Sequence, residues 1–239
     1  AEHGTTDDLA YRVSWKALRE DESGARLSGR WMLVLPETLE ESAFAAQIAE
    51  GMTRALADRG ASVVRLAVDP ACDRSSLGAL LAGAADEQDG APLQGIVSLL
   101  SLAEGMHPDH LSLSLGVASS FTLIQALADS AVGARLWTVT RNAVGAMPGE
   151  EPSVEQAQVW GLGRVAALES PHTWGGLIDF GADPGRPGCR SCSSGLPAGR
   201  RRAGRSRCRG PTGDTWLRGV RAQARPCHGR PDRARLAAP

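Results

Sequence analysis

Among its 239 residues the chain has one tyrosine, Tyr11, and one lysine, Lys16. That scarcity excludes a reaction class. Hydride-transferring reductases of the short-chain type use a Tyr-x-x-x-Lys pair, in which the tyrosine donates a proton and the lysine lowers its pKa. Tyr11 and Lys16 lie five apart, in a segment that reads as a strand, so their side chains point to opposite faces. No second pair can be assembled. Long apolar runs are missing too: nothing approaches the roughly 18 residues that mark a transmembrane helix, so no membrane association is expected. The opening AEHGTTDDLAYRV is acidic and polar, unlike a signal peptide. Cys72 is the sole cysteine before residue 181, which fits a reducing cytosol and a cytoplasmic location.

The net charge of −1 hides an asymmetry. Residues 1–180 hold 12 Lys and Arg against 24 Asp and Glu, whereas residues 181–239 hold 14 Arg, no Lys and 3 Asp. The last 59 residues also contain 10 Gly, 7 Pro and four of the five cysteines, with three Leu, one Val, one Trp and no Ile, Phe or Met. Such a segment cannot bury enough apolar surface to offset its chain entropy, and it reads as disordered. Arg, Gly, Pro, Ala and Cys are also what a very GC-rich coding region yields out of frame. The change of composition near residues 184–190 is therefore read as a frameshift or as a genuine extension.

The first 180 residues alternate between strand and helix signals. Tyr11–Trp15, Arg30–Leu35, Ala61–Val68, Leu93–Leu100, Ala134–Thr140 and Trp174–Phe180 read as strands. Glu40–Asp58, Ser75–Ala85, Leu113–Ala131 and Val154–Leu168 read as helices, with Ser75 or Ser76 and Ser153 as caps and Gly60 as a stop. Buried apolar strands alternating with helices imply an α/β fold: about five parallel strands plus the N-terminal one, with helices on both faces. Ligands of such sheets bind beyond the strand carboxyl ends, where the strand order reverses.

Several residues invite a functional reading, and each is better explained otherwise. Gly161-Leu162-Gly163 lacks the third glycine of a dinucleotide loop, has Ala166 in its place and falls inside a helix, so packing is the stronger reading. Asp179 has no glycine loop at the right distance before it and reads as a strand-end residue. His107 and His110, with Asp109 between them, lie in an expected loop, where the pair of histidines lacks the further protein ligand and second-shell support that a metal needs. Ser119, Ser120 and Thr122 lack a nearby His–Asp partner. Cys189 and Cys192 form one close pair, but Cys208 and Cys227-His228 are too far apart for a zinc finger. Arg200–Arg202, Arg205, Arg207 and Arg209 would attract phosphate non-specifically. With Trp216 as the one aromatic, specific nucleic-acid binding is poorly supported.

"YRVSWKAL", "GRWMLVLPE", "GIVSLLSL", "LWTVTRNAV" and above all "QVWGLGRVAALESPHTWGGLIDFGADP" resemble, in order and spacing, the ketoreductase region of modular type I polyketide synthases. The resemblance covers residues 9–184, and the tryptophan-rich block 160–174 is its most specific part. It implies a truncated Rossmann-like subdomain, the structural half of a ketoreductase, over residues 1–184, followed by an unmatched tail over 185–239. The other half of such enzymes carries the glycine-rich NADPH loop and the catalytic Ser, Tyr and Lys. Accordingly no catalytic, cofactor-binding or metal residue is expected here. NADPH belongs to the intact ketoreductase and phosphopantetheine to its carrier protein. The implied partners are the catalytic subdomain, other synthase domains and the acyl carrier protein. The implied activity of the intact enzyme is reduction of a β-ketoacyl chain, with the fragment itself inactive.

Two other classes answer to parts of the sequence. An acidic body with a cationic tail suits a non-enzymatic binding module for anionic partners, and salt-dependent retention on DNA would mark it. A stand-alone nucleotide-binding enzyme is opposed by the missing glycine loop. Trp160 and Trp174 are expected to join the last helix to the last strand in the core. Limited trypsin digestion is expected to cut first among Arg200–Arg209 and leave a resistant body ending near residue 186. Protection of those arginines equal to that of the body would overturn the reading of the tail.

Overall fold

The structure is a computed structural model, and it describes residues 15, 26–86, 91–145 and 150–181. Tyr11 and its proposed strand, except Trp15, fall outside these residues, as does the tail from 182 onward.

Five strands form a sheet in which every neighbouring pair is parallel. They are β1 (Arg30–Pro36), β2 (Ser62–Val68), β3 (Leu93–Ser98), β6 (Arg135–Arg141) and β7 (Trp174–Phe180), in the order β2-β1-β3-β6-β7. The order of connection reverses between β1 and β3, the chain passing from β1 out to β2 and then back across to β3 and onward. Four helices make the crossovers: α1 (Ala43–Asp58), α2 (Arg74–Asp86), α3 (Leu115–Asp129) and α4 (Val154–Glu169). A parallel sheet needs cover on both faces, and β1 shows how that is met. Its alternate residues Leu33 and Leu35 join Phe44, Ile48, Ala49 and Met52 of α1 in one core. Met32 and Val34 join Leu77 and Leu81 of α2 and Leu123 and Leu127 of α3 in the other. Helix α4 lies beside α3 and against β7. The fold is the expected Rossmann-like α/β architecture.

Local details depart from the sequence reading for identifiable reasons. The helix expected from Glu40 begins at Ala43, because Ser42 caps it through Ala45 N–H and the preceding Glu37–Glu41 winds as a 3-10 turn. Neither Ser75 nor Ser76 caps α2. The Asp73 carboxylate does so, accepting from both of their backbone N–H groups and from the Ser76 hydroxyl; an aspartate two or three residues ahead is the better cap. Strand β3 stops at Ser98, whose hydroxyl accepts from Leu100 N–H and turns the chain into a 3-10 helix over Leu100–Leu102. Helix α3 runs from 115 to 129 rather than 113 to 131, with Ser114 as its cap.

The segment expected as a loop around His107 is an antiparallel hairpin, β4 (Met106–His107) with β5 (His110–Ser114). The His107 and His110 rings stack with centroids 5.2 Å apart, and Asp109 N–H donates to His107 Nδ1 at 3.2 Å. The two-residue connection Pro108-Asp109 carries no Asn-Gly or Asp-Gly signal for a hairpin, which is why the sequence did not show it. Groups of three or more metal-ligating side chains are absent among the described residues, and no helix there is long and apolar enough to cross a membrane.

Glycines in the sheet make room for indoles. A Cβ on Gly95 of β3 would stand 2.6 Å from Trp31 and 2.9 Å from Trp137, and one on Gly175 would stand 2.5 Å from Trp137. The two tryptophan rings meet across Gly95 with centroids 5.4 Å apart. Trp31 Nε1 is buried without an acceptor among the described residues, a cost that its ring packing must outweigh.

The two glycines of the α4 pair play unlike parts. A Cβ on Gly163 would come within 2.7 Å of Leu177 and 2.8 Å of Trp174, whereas a Cβ on Gly161 would meet nothing within 4 Å. Alanine raises helix propensity by about 1 kcal/mol over glycine. Overpacking in a closed contact costs about 1–3 kcal/mol. Gly161→Ala is therefore expected to raise the unfolding free energy and Gly163→Ala to lower it, as read by denaturant titration. Equal effects from both would refute this packing of α4 on β7.

Candidate functional site at the carboxyl ends of the strands

In a doubly wound sheet a dinucleotide would enter where β1 and β3 diverge, with its pyrophosphate against the N-terminus of α1. The chain there reads Pro36-Glu-Thr-Leu-Glu-Glu-Ser42. It contains no glycine to let a phosphate approach the backbone. Pro36 lacks an N–H, and Glu37, Glu40 and Glu41 bring negative charge to the place where an anion would lie. Ser42 takes up one of the free N–H groups of α1. Leu39 is buried in the crevice, and together with Leu102 and Ala45 it leaves a cavity of about 10 Å³, room for at most one water. The crevice lacks the glycine loop and the open space that the pyrophosphate of NADPH would need, so its residues do not fit that cofactor.

Further along the sheet edge the sequence reading missed a connected polar cluster. Trp160 of α4 is buried, and its Nε1–H donates to Thr140 Oγ1 at 2.9 Å. The Thr140 hydroxyl donates to Asp179 Oδ1 at 2.7 Å. The same carboxylate accepts from Ala143 N–H at 2.9 Å and from Val144 N–H at 3.4 Å. Asn142, just before them, has φ 50°, a left-handed turn that asparagine tolerates. Asp179 thus fastens the loop after β6, rather than merely ending a strand. One turn earlier on α4, Gln156 Oε1 accepts from Arg141 N–H at 3.1 Å and Gln156 Nε2 donates to Ser101 O at 2.8 Å.

Gln156 and Trp160 stand four apart on one helical face, and both spend their polar groups on strand ends, Trp160 on Thr140 and Gln156 on Arg141 and Ser101. Gly161 and Gly163 lie within α4, as expected, and not in a strand-to-helix loop. Ser119 and Ser120 bond back to carbonyls of their own helix, Ser119 to Leu115 at 2.7 Å and Ser120 to Gly116 at 2.6 Å, which is a packing arrangement and not that of a nucleophile. Trp174 is half-buried against α4, and Trp15 meets Trp160 edge-to-face at 5.5 Å. A sequence signal for this cluster existed in the tryptophan-rich block, but Thr140 and Asp179 carry no motif of their own.

Burial raises the Asp179 pKa above its ordinary value, outweighing the N–H and hydroxyl donors that lower it, and Glu150 adds to the rise. A carboxyl with a raised native pKa disfavours the folded state once it ionises. The penalty therefore grows as pH rises from the ordinary carboxylate pKa through the raised one, and it is relieved in acid. Asp179→Asn removes that titration while keeping an oxygen for Thr140 and Ala143. The difference in melting temperature between wild type and the variant is expected to shift in favour of wild type as pH falls from 7 towards 4. A difference independent of pH would show that Asp179 does not titrate in this range.

Comparison with known proteins bears on this geometry. Residues 13–203 match the family model described as polyketide synthase extender module SpnB, Rossmann fold domain, a match that runs past Pro184 into the arginine-rich segment. Polyketide synthase GfsA of Streptomyces halstedii is 40% identical over 191 residues, covering 79% of this chain and 2% of that protein. Pikromycin polyketide synthase component PikAII of Streptomyces venezuelae is 44% identical over 184 residues, covering 75% and 5%. A C2-type ketoreductase from a modular polyketide synthase superposes with a TM-score of 0.61 at 44% identity, covering 73% of this chain and 36% of that one. A-type ketoreductases give 0.64 at 36% identity, covering 74% and 36%. The chain thus spans a small part of the synthases it matches and about a third of the ketoreductases. With its parallel sheet and this degree of likeness, it belongs to the family of Rossmann-fold domains of polyketide synthase extender modules.

Proposed function

We propose that this chain is the structural, non-catalytic half of a β-ketoreductase, residues 1–184, carrying an extension over 185–239. In the intact enzyme this half would brace a catalytic half that binds NADPH and reduces a β-ketoacyl group carried on the phosphopantetheine arm of an acyl carrier protein. The observation that carries the reading is the α1 crevice: closed by Leu39, edged by three glutamates and free of glycine. A Rossmann-like domain in that condition supports but does not react. The arm and the carrier protein would meet the other half, and the partners of this chain would be domains of the same synthase.

The purified chain is expected to show no saturable enhancement of NADPH fluorescence at micromolar cofactor and no reduction of β-ketoacyl thioesters. Mixed with the catalytic half of a ketoreductase of the matched type, it is expected to raise the melting temperature of that half and its turnover of a β-ketoacyl thioester. Saturable NADPH binding by the chain alone would overturn the non-catalytic assignment. Indifference of the catalytic half to its addition would overturn the bracing role.

A further inference from the structure

The tip of the β4–β5 hairpin is held by few contacts, and one of them depends on a proton. Pairing along the hairpin is discontinuous. Met106 pairs with Ser114 and His107 with His110, so Leu111, Ser112 and Leu113 have no partner residue on β4. The base is anchored further: Leu115 N–H donates to Gly105 O at 3.0 Å, and the Ser114 hydroxyl caps α3 through Val117 N–H. At the tip there remain the His107–His110 pairing, the stack of their rings at 5.2 Å with planes 27° apart, and the bond from Asp109 N–H to His107 Nδ1 at 3.2 Å.

That last bond fixes a protonation state. In a neutral imidazole one nitrogen donates and the other accepts. Nδ1 of His107 accepts, so the ring proton sits on Nε2, and Nδ1 is the atom left to take another. A second proton on this ring therefore lands on the atom that holds the turn, and sets one N–H against the N–H of Asp109. When His110 is protonated as well, the stacked rings carry like charges. Among the described residues no carboxylate stands at ion-pair distance from either ring. The acids of the hairpin itself are Glu104, ahead of β4, and Asp109 in the turn, both exposed. Helix α3 packs against both strands of the hairpin. It has no ionisable side chain before Asp129, and that carboxylate is bonded to Arg74.

We propose that the hairpin tip is a proton-operated latch, closed while His107 and His110 are neutral and opened in acid, with the base of the hairpin and α3 left in place. The sign follows from the geometry. The closed form has no place for the extra proton, so its advantage is present above the range in which histidine side chains titrate and is lost on passing below it. Loss of one exposed hydrogen bond, together with repulsion between two charges about 5 Å apart in water, shifts the opening equilibrium by about tenfold. The inference uses only the hairpin and the helix beside it. It stands apart from the ketoreductase reading, and either can fail without the other.

The test is amide NMR of the full chain between about pH 8 and about pH 5, the span across which histidine changes charge. Cross-strand contacts between residues 107 and 110 and the hydrogen-bonded shift of the Asp109 amide are expected at the upper pH. Both are expected to fade together in acid, the ratio of closed to open tip dropping by about tenfold, while the amides of β1 and β3 hold still. His107→Asn places a side-chain oxygen where Nδ1 accepts and does not titrate, and its tip is expected to stay closed throughout. His110→Gln removes the second charge and is expected to leave a smaller acid response than wild type. A wild-type tip that is the same at both ends of the range, or a His107→Asn tip that fails to stay closed, would overturn the proposal. So would an opening that spreads to β1 and β3 at the same pH, since that is general acid unfolding and not a latch.

Discussion

The hydroxyl of Thr140 is the point on which the strand-end region depends. It accepts from the Trp160 indole and donates to the Asp179 carboxylate, and so joins helix α4, strand β6 and strand β7 through one oxygen atom. A hydroxyl alone among small side chains both accepts and donates. Valine, with the same shape, would leave a buried N–H without an acceptor and a buried carboxylate without its donor, each costing about 1–3 kcal/mol or more. Asp179 in turn fixes the left-handed turn at Asn142 and the N–H groups after it. The placement of α4, and with it the packing of Gly163 on Trp174 and Leu177, follows from this chain of bonds.

The closed crevice and the polar cluster are two answers to one circumstance. A parallel α/β sheet leaves free N–H groups and open space beyond its strand ends, and in most such folds a ligand fills them. Here side chains do so. Leu39 fills the space, Ser42 caps α1, and Gln156 and Asp179 take up the backbone donors of β6 and its loop. Among the described residues these strand-end donors are satisfied by side chains, which suits the structural role proposed above.

The middle of the sheet was legible in the sequence because β1 and the second half of β3 are apolar runs, as burial on both faces demands, and because Gly60 and the apolar period of Ala45, Ile48, Ala49 and Met52 mark α1 plainly. Ends were less legible. Ser75 and Ser76 both read as caps of α2, yet Asp73 acts in their place, and the start of α1 depends on where the Glu37–Glu41 turn leaves Ser42. The β4–β5 hairpin has no turn signature and is held by pairing that a linear pattern does not reveal. The Thr140–Asp179 contact joins residues 39 apart, and nothing in either neighbourhood points to the other.

The indoles of Trp31 and Trp137 occupy the volume that a side chain on Gly95 would claim. The three positions, on three adjacent strands, therefore form a single steric unit. A larger residue at Gly95 meets a ring on either side, and a smaller residue at either tryptophan opens a void above a backbone with nothing to fill it. Departures from this arrangement must come in combinations, so that a drifting sequence finds single steps blocked here while the surrounding aliphatic positions remain free to exchange with one another. The middle of the sheet thereby acts as a ratchet on sequence change, holding a glycine in a strand interior where its own propensity would never have placed it.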